Sequence, residues 1–178
     1  MFTFLKEAFR NLKQTGSVIE STPQLARRMT NIISNKKTVS VIELGAGTGS
    51  ITKYILKKIS INSKLLSFEL NQSLFGKLQL LEDNRLSKIN DDVQLLEKYV
   101  SKVSADYIIS GLPLTNINTT SKVRILNACL NALKPGGYFI QFQYSLNDIA
   151  LLRRKFPKVK IDFEPINIPP AFVYYAQK

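Results

Sequence analysis

Three glycines in five positions punctuate the stretch VIELGAGTGSIT, residues 41–52. Gly45, Gly47 and Gly49 follow an apolar run and precede a helical pattern, the place where a chain turns sharply and lets a ligand approach its backbone. A dinucleotide fingerprint, G-x-G-x-x-G, would put its third glycine at position 50, and Ser50 stands there. A phosphate loop fails too, because no Gly-Lys-Ser/Thr follows. Glu43, at the end of the run, would repel a pyrophosphate and attract a cation. S-adenosylmethionine is a ligand of that kind, positive at its sulfonium and its amino group.

The rest of the chain alternates. Strands are expected at 39–44, 65–70, near Ile89, and at 107–110, 138–144, 159–163 and 172–175. Helices are expected at 50–59, on to Leu80 after the second strand, at 123–133 closed by Lys134-Pro135-Gly136-Gly137, and at 146–155. Such alternation makes an α/β fold with a mostly parallel sheet covered on both faces. Two final strands with no helix between them read as a C-terminal antiparallel hairpin. At the other end, Phe2, Leu5, Phe9 and Leu12 make a helical apolar stripe flanked by Lys6, Arg10 and Lys13. Ser21-Thr22-Pro23-Gln24 reads as a second helix start, with a hydroxyl cap and Gln24 placed for a capping box; that helix is expected to pass Leu25 and Met29 and reach Ile32-Ile33. The expectation is one domain over 1–178: N-terminal amphipathic helices over 1–34 and a cofactor-binding core over 38–178.

Composition narrows the chemistry. The 178 residues, 44% of them hydrophobic, suffice for one core. No apolar run approaches the ~20 residues of a membrane span, and MFTFLKEAFRNLK is too charged for a signal peptide. Histidine is absent and Cys129 is the single cysteine, which argues against a metal centre, a histidine base or a disulfide, and for a cytoplasmic setting. The net charge of +12 points to an anionic partner, nucleic acid or membrane surface. Arg27 and Arg28 read equally as solvated charges or as phosphate-facing ones.

Glu69 lies at the end of the second strand, in LLSFEL, 20 positions after Gly49, where an acid commonly binds the ribose hydroxyls of an adenosine cofactor. Asp91-Asp92 follow the third strand; Asp92 is the better candidate for the adenine amino group, with Val93 as a wall. ELGAGTG, LLSFEL, INDDV and LKPGG, in this order and spacing, resemble class I S-adenosylmethionine-dependent methyltransferases over most of the chain. The resemblance implies a Rossmann-like, seven-stranded sheet with a reversed last strand. It implies a cofactor site of Glu43, Gly45, Gly47, Gly49, Glu69, Leu70, Asp92 and Val93, with Ser17 and Ser21 toward the methionine end, and no metal.

Within that class, FLKEAFRNLKQTGSVIESTPQLARRM, SGLPL and INIPPAFVYY are similar to bacterial phospholipid N-methyltransferases, and less so to rRNA adenine dimethyltransferases. The implied reaction is N-methylation of phosphatidylethanolamine, or its mono- and dimethyl derivatives, by an enzyme peripherally bound to an anionic membrane. Enzymes that methylate bases end the SGLPL turn in an aromatic ring that stacks on the flat base; here Leu114 stands instead, an aliphatic wall suited to the flexible aminoethyl group of a lipid, and the rRNA enzymes' C-terminal helical domain is not expected. Nucleic acid is thus the less expected partner, and no obligate protein partner is implied. Tyr144 is the leading active-site candidate, by cation–π attraction to an ammonium, with Ser110, Gly111 and Leu112 orienting the amine. Phe2, Leu5, Lys6, Phe9, Arg10 and Lys13 would contact lipid, the first helix acting as a lid, an anchor or both. The alternatives are an RNA adenine N-methyltransferase and a non-catalytic module binding cofactor or RNA.

Overall fold

A computed structural model describes residues 21–178. The candidates Phe2, Leu5, Lys6, Phe9, Arg10, Lys13 and Ser17 lie outside the described residues.

Apolar residues at adjacent positions of each inner strand diverge to opposite faces, so a strand buried on both sides reads as a continuous apolar run. Val41 and Ile42, Ile108 and Ile109, Phe139 and Ile140, and Tyr174 and Tyr175 divide in this way between two cores. The strands are β1 (Ser40–Leu44), β2 (Lys64–Phe68), β3 (Leu86–Ile89), β4 (Ala105–Ser110), β5 (Leu133–Gln143), β6 (Lys158–Glu164) and β7 (Ala171–Gln177). They form one sheet in the order β3-β2-β1-β4-β5-β7-β6. β1 to β5 pair in parallel, and β7 runs antiparallel between β5 and β6. The expected seven strands and reversed last strand are thus present.

Helices cover both faces: α1 (Pro23–Thr30), α2 (Thr52–Lys58), α3 (Gln72–Gln79), the single turn α4 (Leu96–Tyr99), α5 (Thr119–Ala132) and α6 (Ile149–Lys155). One core joins Ile125, Leu126 and Cys129 of α5 and Leu152 of α6 to Ile42, Ile108, Phe139 and Tyr174. The other joins Leu25, Ala26 and Met29 of α1 and Ile55 of α2 to Val41, Ile109, Ile140 and Val173.

Three local expectations change. The cap of α1 is Thr22, whose hydroxyl accepts from Leu25 N, so Gln24 sits one position too early for a capping box. Helix α1 stops at Thr30, where the Oγ1 hydroxyl bonds back to the Ala26 carbonyl, a competition that weakens a helix at its end. LKPGG does not separate α5 from the next strand. Leu133 already pairs with Ala105, and Gly136, at φ 78°, lets the chain bulge before Tyr138 pairs with Tyr107.

The parallel order places the ends of β1, β2, β3, β4 and β5 on one edge. The chain order reverses between β1 and β4, the switch point where open α/β sheets bind ligands.

Candidate active site

The glycine loop leaves β1 at that edge. Gly45, Gly47 and Gly49 all have positive φ, 72°, 59° and 89°, a region that costs any other residue strain. The amides of Gly45 and Ala46 both donate to the Phe68 carbonyl at 2.9 Å, which clamps the loop to the end of β2. A Cβ on Gly49 would lie 2.4 Å from the Leu81 side chain, whereas one on Gly47 would meet nothing within 4 Å. The loop is therefore tight on its inner side and open at Gly47.

Glu69 is brought to this opening. Its Oε2 accepts from Gly47 N at 2.7 Å and its Oε1 from Asn71 N at 2.8 Å. Leu70 beside it is 64% exposed, a large apolar side chain at the mouth of the site. Asn90 donates to the carbonyls of Glu69 and Leu70, tying β3 to β2. Asp92 caps the turn at Val93–Leu95, accepting from Gln94 N at 2.8 Å, and Val93 is buried. An open loop at Gly47, a carboxylate against it, an exposed Leu70 and an acid two turns along form a row along the ends of β1, β2 and β3. That row fits an adenosine cofactor.

Glu43 lies elsewhere. Its side chain is buried beneath the loop, on the α2 face of the sheet, and its Oε2 accepts from Thr52 Oγ1 and Ser67 Oγ, both at 2.7 Å. Burial is the main cause that pushes its carboxyl up to about 7, against those two hydrogen bonds and with the Glu69 charge adding to the rise. Its Oε1 is buried with no hydrogen-bond partner among the described residues. The structure thus corrects the expectation of a charge facing the ligand: Glu43 braces the loop from behind.

On the other side of the switch point, β4 ends at Ser110. Gly111 N donates to the Leu44 carbonyl at 2.8 Å, and a Cβ on Gly111 would come within 2.8 Å of the Gly45 carbonyl oxygen. This glycine lets the SGLPL turn and the cofactor loop touch backbone to backbone. Ser110 is buried and accepts from Leu112 N, while the Leu112 carbonyl accepts from Gln141 Nε2 at 2.8 Å. Leu114 begins a short turn and has no exposed surface. Its side chain is turned into the protein, so it does not form the pocket wall expected of it.

Beyond that turn, Thr115 Oγ1 donates to Gln143 Oε1 at 2.6 Å. Gln143 Nε2 donates to Asp148 at 3.0 Å, and Lys122 Nζ reaches the other oxygen of Asp148 at 2.5 Å. Tyr144 sits just past β5, edge-on to Phe142, with ring centroids 5.6 Å apart. Burial raises its hydroxyl above the ordinary phenol range, although a hydrogen bond with Asn167 opposes this. The phenol is accordingly neutral at physiological pH. Asn167, in the β6–β7 connection, also accepts from Thr22 Oγ1 at 2.9 Å and donates to the Pro169 carbonyl. Ser21 is half-buried next to that cap.

A model of the ubiE/COQ5 methyltransferase family matches residues 21–166. The chain belongs to that family. Its cofactor is S-adenosylmethionine, which the row of residues from Gly47 to Asp92 fits. This methyltransferase is 28% identical over 183 residues to the ornithine lipid N-methyltransferase of Singulisphaera acidiphila, an alignment covering 99% of the chain and 95% of the relative. It is 27% identical to the ubiquinone/menaquinone biosynthesis C-methyltransferase UbiE of Methylococcus capsulatus, over 65% of the chain and about half (47%) of that relative. Among solved structures, the 1,6-didemethyltoxoflavin-N1-methyltransferase of Burkholderia thailandensis, with S-adenosylhomocysteine bound, superposes at a TM-score of 0.70 and 17% identity, covering 98% of this chain and 87% of that one. That likeness confirms the class I methyltransferase fold.

Asn90, Thr115, Lys122, Gln143, Asp148 and Asn167 hold the site of this methyltransferase and escape a reading of the sequence. Asn90 lies in INDDV and Asn167 in INIPPAFVYY, and the other four lie in none of the family motifs. Arg28 is neither freely solvated nor turned to a phosphate, since it pairs with Asp162 at 2.7 Å and Glu164 at 2.8 Å. Among the described residues no cluster of His, Cys, Asp and Glu could hold a metal ion, and no helix is long and apolar enough to cross a membrane.

Proposed function

We propose that this methyltransferase N-methylates the primary amine of an aminolipid, phosphatidylethanolamine or an ornithine lipid, at an anionic membrane surface. The observation that carries the reading is the end-to-end relationship to an ornithine lipid N-methyltransferase, which spans 99% of the chain. When bound, S-adenosylmethionine supplies an electrophilic methyl and departs as S-adenosylhomocysteine, so the chain's own residues need only align the acceptor, let the ammonium pass its proton to water before attack and then keep water out. Glu69 takes the ribose hydroxyls, Asp92 the adenine amino group, Leu70 and Val93 the base faces, and Ser17 and Ser21 the methionine end. The Tyr144 ring holds the ammonium before it loses its proton. The Gly111 and Leu112 carbonyls then direct the amine, Gln141 fixing the direction of the Leu112 carbonyl; the Ser110 hydroxyl, expected to direct it too, is buried and instead holds the turn by accepting from Leu112 N. The segment with Lys6, Arg10 and Lys13 draws the enzyme to anionic lipid, as lid, anchor or both.

The test is methyl transfer from labelled S-adenosylmethionine into vesicles holding each acceptor, with RNA as a parallel substrate. Label is expected in the lipid extract, and chromatography separates the two acceptors. Label in RNA, or in neither lipid, would overturn the proposal. Replacing Glu69→Ala is expected to weaken cofactor binding by about tenfold or more, because hydrogen bonds to a charged group are the strong ones; calorimetry on the variant reads this directly.

A further inference from the structure

The connection between β6 and β7 reads PINIPP over 165–170. Ile166 is 62% exposed and Ile168 is 79% exposed, two of the most exposed large apolar side chains among the described residues. The protrusion is held in place. Asn167 between them is buried and hydrogen-bonded to Thr22 and to the Pro169 carbonyl. Glu164 accepts from Ile166 N and pairs with Arg28. Three prolines stiffen the loop further. From Pro165 to Ala176 no residue carries a charge, in a chain of net charge +12.

Location supplies the rest. Phe172 pairs with Gln143, so the loop rises at the edge of the sheet that carries the glycine loop, SGLPL and Tyr144. Leu146, 44% exposed, follows Tyr144 on the same edge. An uncharged, braced apolar prominence on the edge that carries Tyr144 and SGLPL has the chemistry of a lipid interface, with apolar tips for the acyl boundary.

We infer that loop 165–170 inserts Ile166 and Ile168 into the bilayer and so seats the mouth of the acceptor site on the membrane. The inference rests on the lipid reading of the acceptor. It adds a salt-resistant contact to the salt-sensitive attraction of the basic segment.

An Ile168→Cys variant carrying a polarity-sensitive fluorophore tests it. Cys129 does not compete, being buried with its thiol pushed up to about 12. Vesicles of phosphatidylethanolamine and phosphatidylglycerol are expected to shift the emission to the blue even at about 0.5 M salt, where screening shortens to a few ångströms. The same fluorophore at Ile61→Cys, on the opposite edge before β2, should not respond. An Ile166→Ser, Ile168→Ser double variant is expected to lose about tenfold or more in vesicle partition, with transfer to a monomeric short-chain acceptor retained. An emission unchanged by vesicles, already blue without them, or shifted by protein concentration alone would overturn the inference. The last two results would assign the loop to a cover from the chain itself or to a second copy. A vesicle response at position 168 with no label in lipid removes only the acceptor reading; label in lipid with no response removes only the loop.

Discussion

The two sides of the switch point are held by different means. The cofactor side, from Gly45 to Val93, is fixed largely by backbone: three glycines at positive φ, paired amides on the Phe68 carbonyl, and Glu69 bridging two more amides. The other side, which the proposed reaction gives to the acceptor, is fixed by side chains distant in sequence. Lys122 meets Asp148, Thr115 meets Gln143, and Asn167 reaches back to Thr22. Backbone bracing suits a ligand that is always the same. Side-chain bracing can be rebuilt by substitution without disturbing the loop, which suits a surface that must match a particular acceptor.

The seam between the sides gives the largest expected effect. Gly111 packs its Cα against the Gly45 carbonyl, so a Gly111→Val change drives carbon into backbone on both sides at once. A loss of about 3 kcal/mol or more in stability is expected, at the upper end for overpacking. Chemical denaturation measures it, and cofactor affinity should fall with it. A variant as stable as the parent would mean that the two loops move apart freely.

Lys122→Met is expected to separate the sides. The side chains of Lys122 and Asp148 are 12% and 6% exposed, and removing the cation leaves a buried carboxylate with Gln143 and Thr115 as its partners. The expected cost is about 2–3 kcal/mol. Cofactor affinity should be unchanged, while transfer to the acceptor falls. Equal losses in both would show that the division is not one of function.

This contrast also explains what the sequence discloses. Gly45, Gly47 and Gly49 are legible because a backbone at positive φ leaves few choices of residue and a short spacing to read. Glu69 is legible because β2 must end beside that loop. The seven strands follow from apolar runs buried on both faces. Lys122 and Asp148 carry no such mark, since their meeting depends on α5 lying beside the connection from β5 to α6. Leu114 misleads for a related reason: a leucine after a turn reads alike as pocket wall or core, and the packing of the 114–116 turn decides for the core. Glu43 misleads because its charge, taken at face value, suits a cationic ligand, whereas burial under the loop leaves it near its titration point.

That burial gives an effect confined to the cofactor side and visible only as a slope against pH. The Glu43 carboxyl titrates at about 7 in the folded protein, against 4.5 for an unperturbed group. Between those values the unfolded chain has lost this proton while the folded chain keeps it. Folded protein therefore binds more protons, and stability contributed by Glu43 is full below pH 4.5 and declines as pH rises through about 7. The decline is expected to be about 3 kcal/mol, since desolvation outweighs the hydrogen bonds from Thr52 and Ser67. Glu43→Gln keeps an acceptor for those hydroxyls and removes the titration. Denaturation midpoints measured from pH 4.5 to pH 8 should fall across the window for the parent, beyond any slope shared with the variant. Parallel profiles would place the Glu43 titration elsewhere and return its charge to the ligand side of the loop. The acceptor-side variant Lys122→Met should keep the parental slope in this window, because Glu43 and its partners Thr52 and Ser67 lie wholly on the other side of the seam.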